Sequence, residues 1–238
     1  MNQKPFELAR NQLLARISPD EYERLLPHLE PISFALGEVV YESGAKMASI
    51  YFPTTAIISL LYLMDNGSSA EMGVAGNEGL VGIALFMGGD TMPNRAVVQS
   101  AGEALRMDAV VMQDEFKRGG LFQRLLLRYT GLDHPDVADR RVQPSAFGGT
   151  ATLPVVLLSR DRLDTDELVM TQELIANMLG VRREGVTHAA SRLQEKGIIS
   201  YVRGHIRILD RRGLEGEVCE CYRVVKDEYD RLLNIGMN

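Results

Sequence analysis

The stretch MTQELIANMLGVRREGVTHAASRLQEKGIISYVRGHIRIL, residues 170–209, constrains the chain more than any other. Thr171 is a residue type that caps a helix, and Leu174, Ile175, Met178 and Leu179 form an apolar stripe that stops at Gly180, a residue suited to the left-handed turn ending a helix. A second helix is expected from about Arg182 to Glu195, burying Val186, Ala189, Ala190 and Leu193, with small residues at Ala176, Ala189 and Ala190 allowing close approach of the two helices. The segments GIISYV and HIRIL, joined at Arg203-Gly204, follow as a hairpin. Two short helices joined by a tight glycine-containing turn describe the motif whose second helix lies in the DNA major groove, and the hairpin supplies a wing.

On the second helix Arg183, Glu184, Thr187 and His188 lie opposite the apolar stripe and are the expected base readers, with Arg192 farther along. An arginine fork matches guanine O6 and N7, and a glutamate accepts from cytosine N4. Arg203, His205 and Arg207 on the hairpin can reach the sugar-phosphate backbone. Charge supports this division. From Thr171 to Arg212, eight Lys and Arg face four Asp and Glu, a net of +4 against −6 for the whole chain, which leaves −10 on the remainder. A basic module on an acidic body suits one surface attracted to phosphate and another that faces elsewhere.

Upstream the pattern differs. Residues 7–30 carry apolar positions for two short helices, with Ser18 as cap and Pro19 in the first turn of the second. From Pro31 the chain becomes a series of short β-rich runs separated by glycine turns, with Asn66-Gly67 as a hairpin signal. The expected fold class is α+β: an N-terminal antiparallel β-roll of jelly-roll type, a connecting helix, and a C-terminal winged helix-turn-helix. A helical run from Met112 to Tyr129 reads as the start of a long helix leaving the β domain. At the far end, Leu214, Val218, Cys221, Val225, Tyr229 and Leu232 recur as one apolar stripe.

The 238 residues, 45% of them apolar, suffice for two domains. The longest strongly apolar run, Ala56 to Met64, falls well short of the roughly 20 residues of a membrane helix, and the N-terminus lacks a secretory core, so a soluble cytoplasmic protein is expected. The two cysteines, Cys219 and Cys221, suit neither a disulfide framework nor a four-ligand metal site. Phosphate-binding glycine loops and zinc-binding histidine pairs do not occur, so neither an enzyme nor a cofactor nor a metal is expected.

The stretch TQELIANMLGVRREGVTHAASRLQEKGIIS resembles the helix-turn-helix signature of the Crp/Fnr superfamily of bacterial regulators, and GNEGLVGIALFMGGDTMPNRAVV resembles its cyclic-nucleotide-binding-type β-roll. The resemblance implies a sensor domain at 1–118, a connector and dimerisation region at 119–160 and a DNA-binding domain at 161–238, in a homodimer that binds double-stranded DNA with two-fold symmetry and acts on RNA polymerase. It assigns Thr171, Gln172 and Arg182 to phosphate, and Arg183, Glu184 and His188 to bases. It also marks Gly82 and Arg95 as ligand-binding positions. Relatives that bind cyclic AMP carry a glutamate for the ribose and an Arg-Ser pair for the phosphate. Here Ile83 and Ala84 follow Gly82, and Ala96 follows Arg95, which predicts an altered pocket and an unidentified effector, or none.

The resemblance is weakest at 131–156, where a continuous dimer helix is implied but Pro135, Pro144, Pro154 and Gly148-Gly149 read as a loop. Within it, HPDVADRRVQPSAFGG can be encoded so that reading one base later gives a proline-free string suited to a helix. A pair of compensating frameshifts, restored near Ser159, is therefore a second explanation beside a genuine loop. Two other functions are compatible with the residues: a sensor module that regulates a partner protein, and a damaged regulator defective in dimerisation.

Overall fold

The computed structural model describes residues 10–63, 69–132, 152–163, 165–179, 181–218 and 220–233. Among these residues two compact units emerge, one from 10–62, 72–132 and 228–233, the other from 63, 69–71 and the described residues between 152 and 227.

In the first unit, strands β1 (Glu30–Phe34), β7 (Gly102–Asp108) and β3 (Ser49–Pro53) form one antiparallel sheet in the order β1-β7-β3. Strands β2 (Val39–Tyr41), β6 (Arg95–Ser100), β4 (Ile57–Leu63) and β5 (Ser69–Ala75) form a second, in the order β2-β6-β4-β5, of which Leu63 and residues 69–71 are grouped with the other unit. Alternation sets the faces: Ile50 and Phe52 on β3 and Leu105 and Met107 on β7 turn inward, where Ile58, Val98 and Leu85 are also buried. The Asn-Gly turn lies outside the described residues, although the strands on either side of it pair with each other as that turn predicts.

The N-terminal segment is fixed by polar groups. Asn11 is fully buried and donates to the carbonyls of Pro53 and Gly79, both at 2.9 Å. Helix α1 (Pro19–Leu25) begins with the expected Ser18 cap and Pro19 in its first turn, and Glu21 closes a capping box. The same carboxylate accepts the Phe122 N–H at 3.0 Å. Burial pushes the Glu21 pKa up, but hydrogen bonds from the Phe122 backbone and from Ser18 outweigh it, and the carboxyl sits below the ordinary glutamate range.

The run expected to be one helix from Met112 to Tyr129 is two: α3 (Ala109–Arg118) and α4 (Gly120–Leu132), with the short helix α2 (Ala84–Met87) preceding them. Gly119 and Gly120 both take positive φ, +79° and +93°, and a Cβ on Gly120 would lie 2.5 Å from Glu21 Oε1. Glycine is required there, and the apolar period runs through the break because Met112, Phe122, Leu125 and Leu126 are all buried on either side of it.

The second unit begins with α5 (Thr152–Leu163), which corrects the loop expected as far as residue 156. Pro154 falls in the first turn, where a missing N–H costs no intrahelical bond. The rest of the stretch expected as a loop or frameshifted segment, 133–151, lies outside the described residues. A three-stranded antiparallel sheet follows in the order β8-β10-β9, built from β8 (Glu167–Val169), β9 (Ile199–Val202) and β10 (His205–Ile208). Helices α6 (Gln172–Leu179) and α7 (Arg183–Glu195) pack on it around a core that includes Val156, Leu157, Leu168, Ile175, Val186 and Leu193.

The C-terminal stripe is also corrected. Val218 leaves the helix at φ −80°, ψ 151°, so Leu214 belongs to α8 (Arg211–Glu217), while Tyr222 and Tyr229 belong to α9 (Glu220–Leu233). Leu214 and both tyrosines are buried; the side chains of Cys221, Val225 and Leu232 lie outside the described residues. The Tyr222 hydroxyl donates to Asp161 at 2.6 Å, and Arg211 pairs with the same carboxylate at 3.0 Å, which ties α5, α8 and α9 together. Among the described residues no helix is long and apolar enough to cross a membrane.

Candidate nucleic-acid interface

Helix α6 starts as its sequence requires. Thr171 Oγ1 accepts the Leu174 N–H at 3.1 Å, satisfying one of the free donors of the first turn. The Val181 N–H returns to the Ala176 carbonyl at 3.0 Å, and Arg182, in extended conformation (φ −76°, ψ 143°), opens α7 without a side-chain cap. The turn residue Gly180 lies outside the described residues.

Helix α7 buries Val186, Ala189, Ala190 and Leu193 and exposes Arg183, Glu184, Thr187 and His188. The four expected readers therefore share an accessible face at the helix start, where a groove-entering helix presents its first turns. Thr187 differs from the other three, because its hydroxyl is 2.7 Å from Gln172 Oε1 and 3.0 Å from the Arg183 carbonyl oxygen.

The wing is a two-residue hairpin. His205 pairs with Val202 and Ile206 with Tyr201, and the turn residues Arg203 and Gly204 both take positive φ, 49° and 86°. Successive positive φ values match the type I′ turn favoured by the strand twist. Ile206 and Ile208 point into the core, leaving His205 and Arg207 exposed. The Tyr201 N–H donates to Gln194 Oε1 at 2.8 Å, which fixes the wing to α7. The Tyr201 hydroxyl donates to the Met170 carbonyl at 2.7 Å, and its pKa is raised by burial against the opposing charge of Arg183.

Between the start of α6, the start of α7 and the wing turn lies a cleft of about 420 Å³, lined by Thr171, Gln172, Glu173, Arg183, Tyr201, Arg203 and Gly204. Two arginines and one glutamate on the rim leave it net positive. Elements separated by some thirty residues meet here, and four of the expected DNA-contacting side chains, Thr171, Gln172, Arg183 and Arg203, line one concavity. Two others have protein partners. Arg192 approaches Glu217 at 3.5 Å, with Lys196 2.6 Å from the same carboxylate, and Arg207 pairs with Glu167 across β10 and β8. Strand β8 was missed by sequence reading: three residues carry too little pattern, and only its pairing with β10 defines it.

In the first unit, Gly82 takes φ +112° against Ile50 of β3, and Arg95 opens β6 with its Nε 3.0 Å from Glu42 Oε2. Neither lines the cavity of about 620 Å³ beside α2 and α3, which is bordered by Leu85, Phe86, Gly88, Gly89, Asp90, Gln113, Phe116 and Lys117. Among the described residues no cluster of three or more His, Cys, Asp and Glu side chains could hold a metal ion.

Comparison with known proteins agrees with this geometry. The cyclic nucleotide-binding domain family matches residues 31–118, and the Crp-like helix-turn-helix domain family matches residues 155–217. Among solved structures, FixK2 from Bradyrhizobium japonicum is 15% identical with a TM-score of 0.64, covering 80% of this chain and 98% of its own. A CRP-family transcriptional regulator from Thermus thermophilus is 18% identical with a TM-score of 0.63, covering 78% and 95%. The c-di-GMP responsive global regulator CLP from Xanthomonas campestris is 17% identical with a TM-score of 0.57, covering 80% and 99%. No curated protein sequence matches the chain. A sheet-rich cyclic-nucleotide-binding-type domain followed by a winged helix-turn-helix defines a DNA-binding transcription regulator. The chain belongs to the Crp/Fnr superfamily.

Proposed function

We propose that the protein is a cytoplasmic, sequence-specific regulator that binds a two-fold symmetric operator as a homodimer, acts on RNA polymerase, and responds through its β-roll to an effector other than cyclic AMP. The observation that carries this reading is the exposed start of α7 beside the net-positive cleft. Arg183, Glu184 and His188 read bases. Thr171, Gln172, Arg182 and Arg203 contact phosphates, and His205 extends that contact along the wing. Arg192 supports Glu217 more than it touches DNA, since the two are already in contact. Residues 1–118 act as sensor, 119–160 as connector and dimer seam, and 161–238 as the DNA-binding part. Leu127, a large apolar side chain left exposed on α4, is available to such a seam.

The altered effector pocket rests on two features. Ile83 and Ala84 offer no carboxylate to a ribose, and Glu42, with Oε2 3.0 Å from Arg95 Nε, sets a negative charge beside the cation that an incoming phosphate would need. Charge also sets the test of DNA binding. Two phosphate-facing arginines per protomer, Arg182 and Arg203, make four per dimer, so log affinity for random duplex is expected to fall with log salt at a slope of roughly −3.6. Between 50 and 200 mM salt that is a loss of about a hundredfold, measurable by fluorescence anisotropy. Binding that ignores salt, or no binding at low salt, contradicts the proposal and favours a module that regulates a partner protein.

A further inference from the structure

Thr187 and Gln172 stand fifteen positions apart on the two helices of the motif, and their side chains join them across the turn. The Thr187 hydroxyl carries one proton and has two acceptors in reach, Gln172 Oε1 at 2.7 Å and the Arg183 carbonyl at 3.0 Å. At 2.7 Å the contact to Gln172 Oε1 has the usual O–H···O length, with the hydroxyl as donor. The proton therefore goes chiefly to the Gln172 oxygen. That choice fixes the amide: its oxygen is occupied, and its two N–H groups remain as donors on a residue that lines the cleft.

We propose that Thr187 is a positioning residue, whose hydroxyl holds the Gln172 amide with its N–H groups free to donate to a DNA phosphate, and that it is not a base reader. The inference rests on the reading of the cleft as a phosphate site. It gives the first helix of the motif a contact whose orientation is set by the second, so both helices must be docked for that contact to form. A phosphate oxygen can only accept, so an amide turned the other way would present its oxygen and repel it. Holding the side chain in one rotamer also removes a conformational cost that an untethered glutamine would meet on binding.

The test uses the full chain with Thr187→Val, which keeps the shape and removes the hydroxyl, alongside Gln172→Ala, the double variant and Thr187→Ser. One lost or misplaced neutral hydrogen bond per protomer predicts weaker binding to every duplex alike, by about two- to tenfold per half-site. Because glutamine is uncharged, the salt slope is expected to stay that of the wild type. The double variant is expected to bind no more weakly than Gln172→Ala alone, and Thr187→Ser to restore wild-type affinity. A changed preference at one base pair in Thr187→Val would show it to be a reader and overturn the proposal. Additive losses in the double variant, or a lowered melting temperature that accounts for the weaker binding, would overturn it as well. If the wild type itself shows no salt-dependent duplex binding, the phosphate reading fails, and this inference fails with it.

Discussion

Arg183→Ala is expected to erode base preference, while Arg203→Ala is expected to weaken binding to all sequences alike. Arg183 stands exposed in the first turn of α7, the part of a recognition helix that reaches base edges, and its fork is free to make a bidentate contact. Losing such a contact costs about 1–3 kcal/mol per half-site, so the ratio of operator to random-duplex affinity should fall about five- to 150-fold for each of the two half-sites. Arg203 sits at the wing turn, on the rim of the cleft it shares with Arg183 but on a different element. Removing it takes one phosphate contact from each protomer, which should make the salt slope shallower by about 1.8 per dimer while the operator preference persists. Competition binding with operator and random duplex separates the two effects. An equal loss of preference in both variants contradicts the assignment.

Gly102→Ala is expected to destabilise the β-roll by about 3 kcal/mol or more. A Cβ at this position would lie 2.6 Å from Ala56 N and from the carbonyl carbon and oxygen of Thr55, all of them backbone atoms. That backbone has little freedom to retreat. The N–H groups of Thr54, Thr55 and Ala56 all converge on the Glu103 carbonyl at 2.9, 3.1 and 3.2 Å, and the Glu103 N–H returns to Thr55 Oγ1 at 2.9 Å. Relieving the clash breaks part of this array in a sheet corner, and each buried polar group left without a partner adds to the cost. A drop in melting temperature of about 10 °C or more is expected by calorimetry. Gly131→Ala is the control, since nothing lies within 4 Å of its Cβ and it stands in helix α4. It should be neutral or slightly stabilising. An unchanged melting temperature for Gly102→Ala would contradict the packing described here.

Much of the DNA-binding module was legible because its signals are local. The Thr171 cap, the apolar stripes of α6 and α7 and the Arg203-Gly204 turn each need only a few neighbouring residues to be recognised, and all appear where the spacing placed them. The same holds for Ser18 and Pro19 at the start of α1. What escaped reading depends on partners distant in sequence. The break at Gly119-Gly120 interrupts a run whose apolar residues stay buried on both sides, so the period alone runs across it. Strand β8 exists through its pairing with β10, and Arg207 is engaged because Glu167 lies opposite it in that pairing. Arg192 and Thr187 looked equivalent to their neighbours on the helical wheel. Glu217 and Gln172, contributed by other elements, distinguish them. Helix α5 was obscured by Pro154, whose position in a first turn becomes harmless only once the helix start is known.

Whether the face opening at Arg183 reads DNA sequence is decided by selecting bound sites from a random duplex pool with the full chain. Enrichment of a two-fold symmetric site is expected, its half-sites centred about one helical turn apart, roughly 10 base pairs. A pool that remains random after repeated rounds would contradict it.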